Sequence, residues 1–119
     1  MYAMLRDKLY TILSEDADRF TIRILPEAEI LKAHFEGFPI VPGVCVTRIA
    51  TELLQEKLGG IILSKGISVK FLNPVYPDGK DLQYSFQIDG LKVKAEVSSG
   101  NEKKAVMNLE YERQDSAHI

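Results

Sequence analysis

The chain carries one cysteine, Cys45, two histidines, His34 and His118, and no tryptophan. A single cysteine excludes an internal disulfide and points to a reducing, cytoplasmic setting. One thiol and two imidazoles are too few for a zinc or other nitrogen–sulfur cluster, so neither a metal nor another cofactor is expected. Neither sign of charge dominates: 15 Lys and Arg stand against 17 Asp and Glu, a formal net charge of −2. No Lys/Arg run interleaves with aromatics, so the footprint of a nucleic-acid binder is missing. No apolar run approaches the roughly 20 residues that span a bilayer. Arg6, Asp7 and Lys8 interrupt the apolar pattern at the N-terminus, which therefore does not read as a signal peptide.

What is present suits one globular domain over residues 1–119, with 45% hydrophobic and 27% charged residues. Leu5, Leu9 and Ile12 fall at near-helical spacing and predict a short N-terminal helix or arm over residues 1–13. Phe20, Ile22 and Ile24 alternate with polar residues and predict a strand. A loop holding Pro26 and Pro39 follows, with a helical turn around Glu27 to Leu31. Val46, Ile49, Ala50, Leu53, Leu54 and Leu58 then form one apolar stripe of a long helix. Pro42 and Gly43 precede the stripe, and Gly59-Gly60 ends it. Thr47, Arg48, Thr51, Glu52, Gln55 and Glu56 fall on the opposite, polar face.

Beyond the helix the period becomes two. Strands are predicted around Ile67–Phe71, Tyr84–Ile88, Leu91–Val97 and Ala105–Tyr111. Turn sequences separate them at Asp78-Gly79, Asp89-Gly90 and Ser99-Gly100-Asn101. The sum is an α+β domain, an antiparallel sheet wrapped around a single helix. Residues 114–119 read as a loose tail.

Chemistry concentrates in one stretch, His34-Phe35-Glu36-Gly37-Phe38-Pro39-Ile40-Val41-Pro42-Gly43-Val44. A histidine held in a loop that runs into a helix start sets acid–base chemistry beside the positive end of the helix dipole. From His34 to Gly43 the chain resembles the signature of the 3-hydroxyacyl-acyl-carrier-protein dehydratases, His-Phe-Pro-Gly-x-Pro-x-x-Pro-Gly. Lys70-Phe71-Leu72-Asn73-Pro74-Val75-Tyr76-Pro77-Asp78-Gly79 resembles their strand and turn with Pro-Val-x-Pro-Gly-Asp. Within that group the chain is similar to the short dehydratase-like proteins of aryl-polyene and related pigment-lipid clusters. The resemblance covers residues 18 to 112 and implies the hotdog fold, a sheet curled around one long central helix.

It also implies roles. His34 would take the proton next to a thioester carbonyl, and the Gly43 N–H would receive the charge growing on the thioester oxygen. Losing one such donor typically costs roughly 2.7–4 kcal/mol of barrier. Phe35, Gly37, Pro42 and Val44 would line the acyl site. The substrate would be a thioester of acyl carrier protein or coenzyme A, and the active form a homodimer or a larger assembly of dimers, because the catalytic pair comes from two subunits.

One departure bears on the chemistry. Fourteen residues after the histidine the dehydratases have Glu or Asp, which protonates the departing 3-hydroxyl; here stands Arg48. A guanidinium stays protonated and cannot act as an ordinary acid. Glu52, one turn or about 6 Å further along the helix, is the nearest substitute on that helix. Glu36 could reach the site from the loop, and Arg48 could instead hold the leaving hydroxyl, a phosphate or a carboxylate. Three functions stay open: a dehydratase with His34, Gly43 and Glu52 as its catalytic groups; a thioesterase of hotdog type; or a carrier-binding chain that completes a heterodimer whose other subunit brings the carboxylate.

Ordinary explanations compete at each position. Arg48 and Glu52, four apart, could be a solvated ion pair worth roughly 0.3–0.5 kcal/mol. Cys45 reads as a small buried hydrophobe, or as a thiol whose pKa the helix start would lower. His118 is an ordinary tail residue. Lys65, Lys70, Lys92, Lys94 and Arg113 are candidates for a basic patch facing an acidic carrier.

Overall fold

The period-two stretches fold into one six-stranded antiparallel sheet, in a computed structural model that describes residues 4–29, 31 and 40–114, with main chain only at residues 65–67. The strands are β1 (Tyr10–Glu15), β2 (Arg19–Ile24), β3 (Ile61–Phe71), β4 (Asp81–Asp89), β5 (Lys92–Ser99) and β6 (Glu102–Arg113). The helix α1 (Gly43–Leu58) lies between β2 and β3 in sequence. Sheet order is β1-β2-β4-β5-β6-β3. Inward side chains of β2, β4, β5 and β6 close on α1, with Phe20, Ile22, Tyr84, Ala95, Met107, Ile49 and Leu53 all buried. This is the curled sheet around one helix that the dehydratase resemblance implies. Among the described residues no helix is long and apolar enough to cross a membrane.

The expected turns hold. Gly79, Gly90 and Gly100 have φ of 77°, 63° and 59°, conformations that glycine adopts without penalty. Asp89 pairs with Lys92 across the β4–β5 hairpin. Gly59, at φ 79°, ends α1 with its N–H donating to the Gln55 carbonyl at 3.0 Å.

Two expectations fail for identifiable reasons. The helix expected over residues 1–13 is absent from the described part: Leu5 to Leu9 make one tight turn, and Tyr10–Glu15 is the edge strand β1. Leu5 and Leu9 are buried by that turn, so their spacing suits it as well as it suits a helix. β3 also begins six residues before the predicted Ile67. Register shifts at Leu63/Lys65 and Gly66/Ser68 break its alternation, which hides the first half from a period-two reading.

The polar face of α1 is not a solvated face. The Thr51 hydroxyl and the Tyr111 phenol lie 3.0 Å apart, and Gln55 Nε2 donates to the Ile61 carbonyl at 2.9 Å. Thr51 and Glu52 are buried. On the sheet side, the Tyr84 hydroxyl donates to the Val46 carbonyl at 2.9 Å. The helix is therefore enclosed along most of its circumference, and its polar residues tie it to the elements around it.

Leu53→Ala, at a fully buried site on α1, is expected to lower unfolding free energy by about 2–5 kcal/mol in urea titration. Val44→Ala, at a 76% exposed site, should stay within about 0.5 kcal/mol. Equal losses would contradict this placement of the helix.

Candidate functional site

The described end of the first stretch that carries the dehydratase resemblance, Ile40 to Gly43, meets the second stretch at the N-terminus of α1. Val41 N–H donates to the Val75 carbonyl at 2.7 Å, which joins the helix entry to the Pro74–Pro77 loop. Pro42 caps the helix without a side-chain bond, and its carbonyl accepts from the amides of Cys45 and Val46 at 2.9 and 3.1 Å. The first amides of a helix have no partner within it and face outward. A Cβ at position 43 would lie 2.7 Å from the Phe71 ring, so a larger residue there would push that ring off the helix start. Phe71 thus stacks directly on the helix start from the end of β3.

Beside this contact lies a groove of about 290 Å³ between Ile40, Val41, Gly43 and Val46 on one wall and Phe71 to Val75 on the other. It is mainly apolar. Val44, Ile40, Phe71 and Leu72 are exposed next to it, so the groove opens onto an apolar surface. Such a groove suits a hydrocarbon chain, with helix amides at hand for a polar head. His34, Phe35, Glu36 and Gly37 lie outside the described residues, as does His118.

One turn into α1 the geometry is electrostatic. Arg48 is 26% exposed and its Nε lies 3.4 Å from Glu52 Oε2. Glu52 is only 4% exposed. Its Oε2 accepts from the Leu5 N–H at 2.8 Å; its Oε1 accepts from the Arg6 N–H at 3.1 Å and the Tyr10 hydroxyl at 2.9 Å. Arg6 continues the link by pairing with Glu56. The solvated Arg48–Glu52 pair considered from sequence is therefore replaced by a buried network. Each donor needs a lone pair on Glu52, so a proton delivered by this carboxyl would have to displace one of them.

The phenol of Tyr10 is pushed up by burial and then by the Glu52 carboxylate, so it stays a donor. Burial also pushes up the Cys45 thiol, with Arg48 opposing. Cys45 is buried, as a small hydrophobe at the helix start would be.

Sequence reasoning missed Tyr10 and Phe71, which looked like ordinary apolar positions. It also missed Lys104, a buried lysine behind the Pro74–Pro77 loop. Of the candidate basic residues, Lys70 adjoins Phe71, while Lys92 and Lys94 stand on β5 opposite Glu110 and Asn108. Arg113 donates to the Leu58 carbonyl at 2.6 Å. The side chain of Lys65 lies outside the description.

The sequence profile of the ApeI-like family, described as ApeI dehydratase, matches residues 12–110. No curated protein sequence matches the chain. Among solved structures, the chain is similar to the dehydratase heterocomplex ApeI:P from Xenorhabdus doucetiae, with 19% identity, a TM-score of 0.65, and 86% of this chain and 94% of that one covered. It is also similar to the E. coli PaaI protein from the phenylacetic acid degradation operon, at 16% identity and TM-score 0.63, covering 92% and 87%. A putative thioesterase from Shewanella oneidensis matches at 14% identity and TM-score 0.57, covering 88% and 84%. At these identities the structural matches establish the hotdog fold.

Two outcomes follow from the network. Glu52→Ala strands two amides and a phenol, and is expected to cost about 2–4 kcal/mol while opening Arg6 and Lys8 to trypsin; unchanged melting and cleavage would contradict the anchor. The raised phenols of Tyr10, Tyr84 and Tyr111 give an alkaline limit. Up to the ordinary value of 10.0 both states hold these protons. Above it only the unfolded chain releases them, so stability should fall by about 1.4 kcal/mol per pH unit per tyrosine. A melting series between pH 8 and 11 checks this, and Tyr10→Phe should make the decline shallower.

Proposed function

The chain belongs to the ApeI-like dehydratase family, and we propose from that premise that it is one subunit of a 3-hydroxyacyl-thioester dehydratase whose acid comes from a second hotdog chain. In this reading His34 removes the proton from C2 of the acyl group. The electron pair shifts toward the thioester oxygen, where the Gly43 N–H and the helix dipole receive the charge. Collapse of that intermediate breaks the C3–oxygen bond, and a carboxylic acid protonates the oxygen, releasing water and the trans-2-enoyl thioester. Phe35, Gly37, Pro42 and Val44 border the acyl group, and the apolar groove beside Gly43 supports a hydrocarbon chain on a thioester of acyl carrier protein or coenzyme A. Carrier-linked lipid synthesis and the buried free thiol of Cys45 suit the cytoplasm.

The observation that carries the need for a second chain is the occupancy of Glu52. Arg48 stands at the usual acid position, and the next carboxylate along α1, Glu52, is filled by Leu5, Arg6, Tyr10 and Arg48. A homodimer would bring two bases and two oxyanion sites but no acid in that place. The edge strand β3 exposes Ile62, Leu63, Val69 and Phe71, an apolar margin suited to pairing with another hotdog sheet. The similar Xenorhabdus doucetiae structure is itself a heterocomplex. Arg48 then holds the leaving oxygen or a carrier phosphate by hydrogen bonds.

Mass spectrometry of 3-hydroxyacyl carrier-protein thioesters tests this, with the chain alone and mixed with the second hotdog subunit of its own cell. Enoyl product is expected only from the mixture. It should vanish in His34→Ala and persist within about threefold in Glu52→Gln, a factor of less than 1 kcal/mol. Product from the pure chain that vanishes in a folded Glu52→Gln would make Glu52 a relocated acid of a homodimer. Release of free acid would instead make the chain a thioesterase.

A further inference from the structure

We infer that Lys104 is a positioning residue that sets the helix start, and with it the Gly43 amide, through the Pro74–Val75 loop. Lys104 points from β6 toward the loop and is only 6% exposed. A buried ammonium is costly unless every proton finds an acceptor. Here Nζ donates to the Pro74 carbonyl at 2.8 Å and pairs with Glu102, and it sits 5.6 Å from the centre of the Tyr76 ring. The main chain of the same residue grips the same loop, since its carbonyl accepts from Leu72 N–H at 2.8 Å and Asn73 N–H at 3.2 Å. Asn73 Nδ2 adds a bond to the Lys103 carbonyl at 2.8 Å.

The loop so held passes the constraint on. Val75, next to Pro74, accepts the Val41 N–H, and Val41 precedes the capping Pro42. The path from Lys104 to Gly43 therefore runs through three consecutive contacts: Nζ to Pro74, Val75 to Val41, and Pro42 to the first turn. Phe71, immediately before the gripped segment, packs on Gly43. A methionine of similar length would fill the same space but would leave the Pro74 carbonyl without its donor. What the ammonium does here that methionine cannot is fix one carbonyl of a loop that lines the groove. The catalytic half of this role rests on the thioester reading above; the structural half does not.

Hydrogen–deuterium exchange of the whole chain, in the assembly that turns over, tests both halves, with Lys104→Met compared with Lys104→Arg and Glu102→Gln. Lys104→Met should speed exchange at the Val41 amide about tenfold and leave the β5 amides unchanged. Lys104→Arg, which can still donate to Pro74, should restore the slow rate, and Glu102→Gln should keep it. With 3-hydroxyoctanoyl N-acetylcysteamine thioester, Lys104→Met should lose about tenfold in kcat at nearly constant KM. Wild-type exchange at Val41 in Lys104→Met overturns the inference, and so does faster exchange across the whole core, which would make Lys104 a general stabiliser. Faster Val41 exchange with unchanged kcat overturns the positioning role. Absence of turnover by the wild-type assembly counts against the thioester reading, and the exchange result then decides the strap by itself.

Discussion

One buried carboxylate ties the N-terminal turn and the start of β1 to a helix residue 42 to 47 positions away in sequence. Glu52 reaches from the middle of α1 to the Leu5–Arg6 turn and to Tyr10 at the start of β1. Without that acceptor the buried Leu5 amide and the part-buried Arg6 amide would have nothing to receive them, at a cost of about 2–4 kcal/mol. The same carboxylate draws Arg48 toward it at 3.4 Å. The docking of the N-terminal turn, the covering of the helix and the surroundings of Arg48 thus share one side chain.

This arrangement separates two tasks that a dehydratase must perform. Stabilising charge on a thioester oxygen needs preorganised N–H groups, and the proposed donors at the Pro42–Gly43 helix entry stand between Val75 on one side and Phe71 on the other. Donating a proton to a leaving hydroxyl needs an acid that can give up its proton and take it back. A carboxylate engaged by three hydrogen bonds and a guanidinium is poorly suited to that cycle, because every proton transfer would disturb the fold. In the function proposed above, this chain performs the first task and a partner performs the second.

Much of the framework could be read from the residues, and the failures share a cause. The Pro42-Gly43 entry, the Gly59 stop and the Asp89-Gly90 hairpin are local chemistry, so they were legible. The strand β1 was not, since Leu5, Leu9 and Ile12 fit a helix, and only the register Tyr10↔Ile24 reveals the strand. The first half of β3 was hidden by its irregular register. The burial of Glu52 was hidden more deeply: an amphipathic pattern assigns charges to water, and the pattern cannot show that another part of the chain covers that face. Lys104 was invisible for the same reason. Its position on β6 reads as outward, and it becomes interior only when the Pro74–Pro77 loop folds over it. The two motif stretches were the functional signals that sequence carried, and their meeting at the start of α1 is seen only in the fold.

The central claim is that this chain contributes base and oxyanion donors while another chain contributes the acid. The most direct measurement is a crystal structure of the active assembly, bearing His34→Asn and soaked with a 3-hydroxyacyl pantetheine thioester. The account predicts a carboxylate of the second chain within hydrogen-bond distance of the substrate's 3-oxygen, with Glu52 still holding Leu5, Arg6 and Tyr10. A 3-oxygen bonded to Glu52, with the N-terminal turn released, would contradict it.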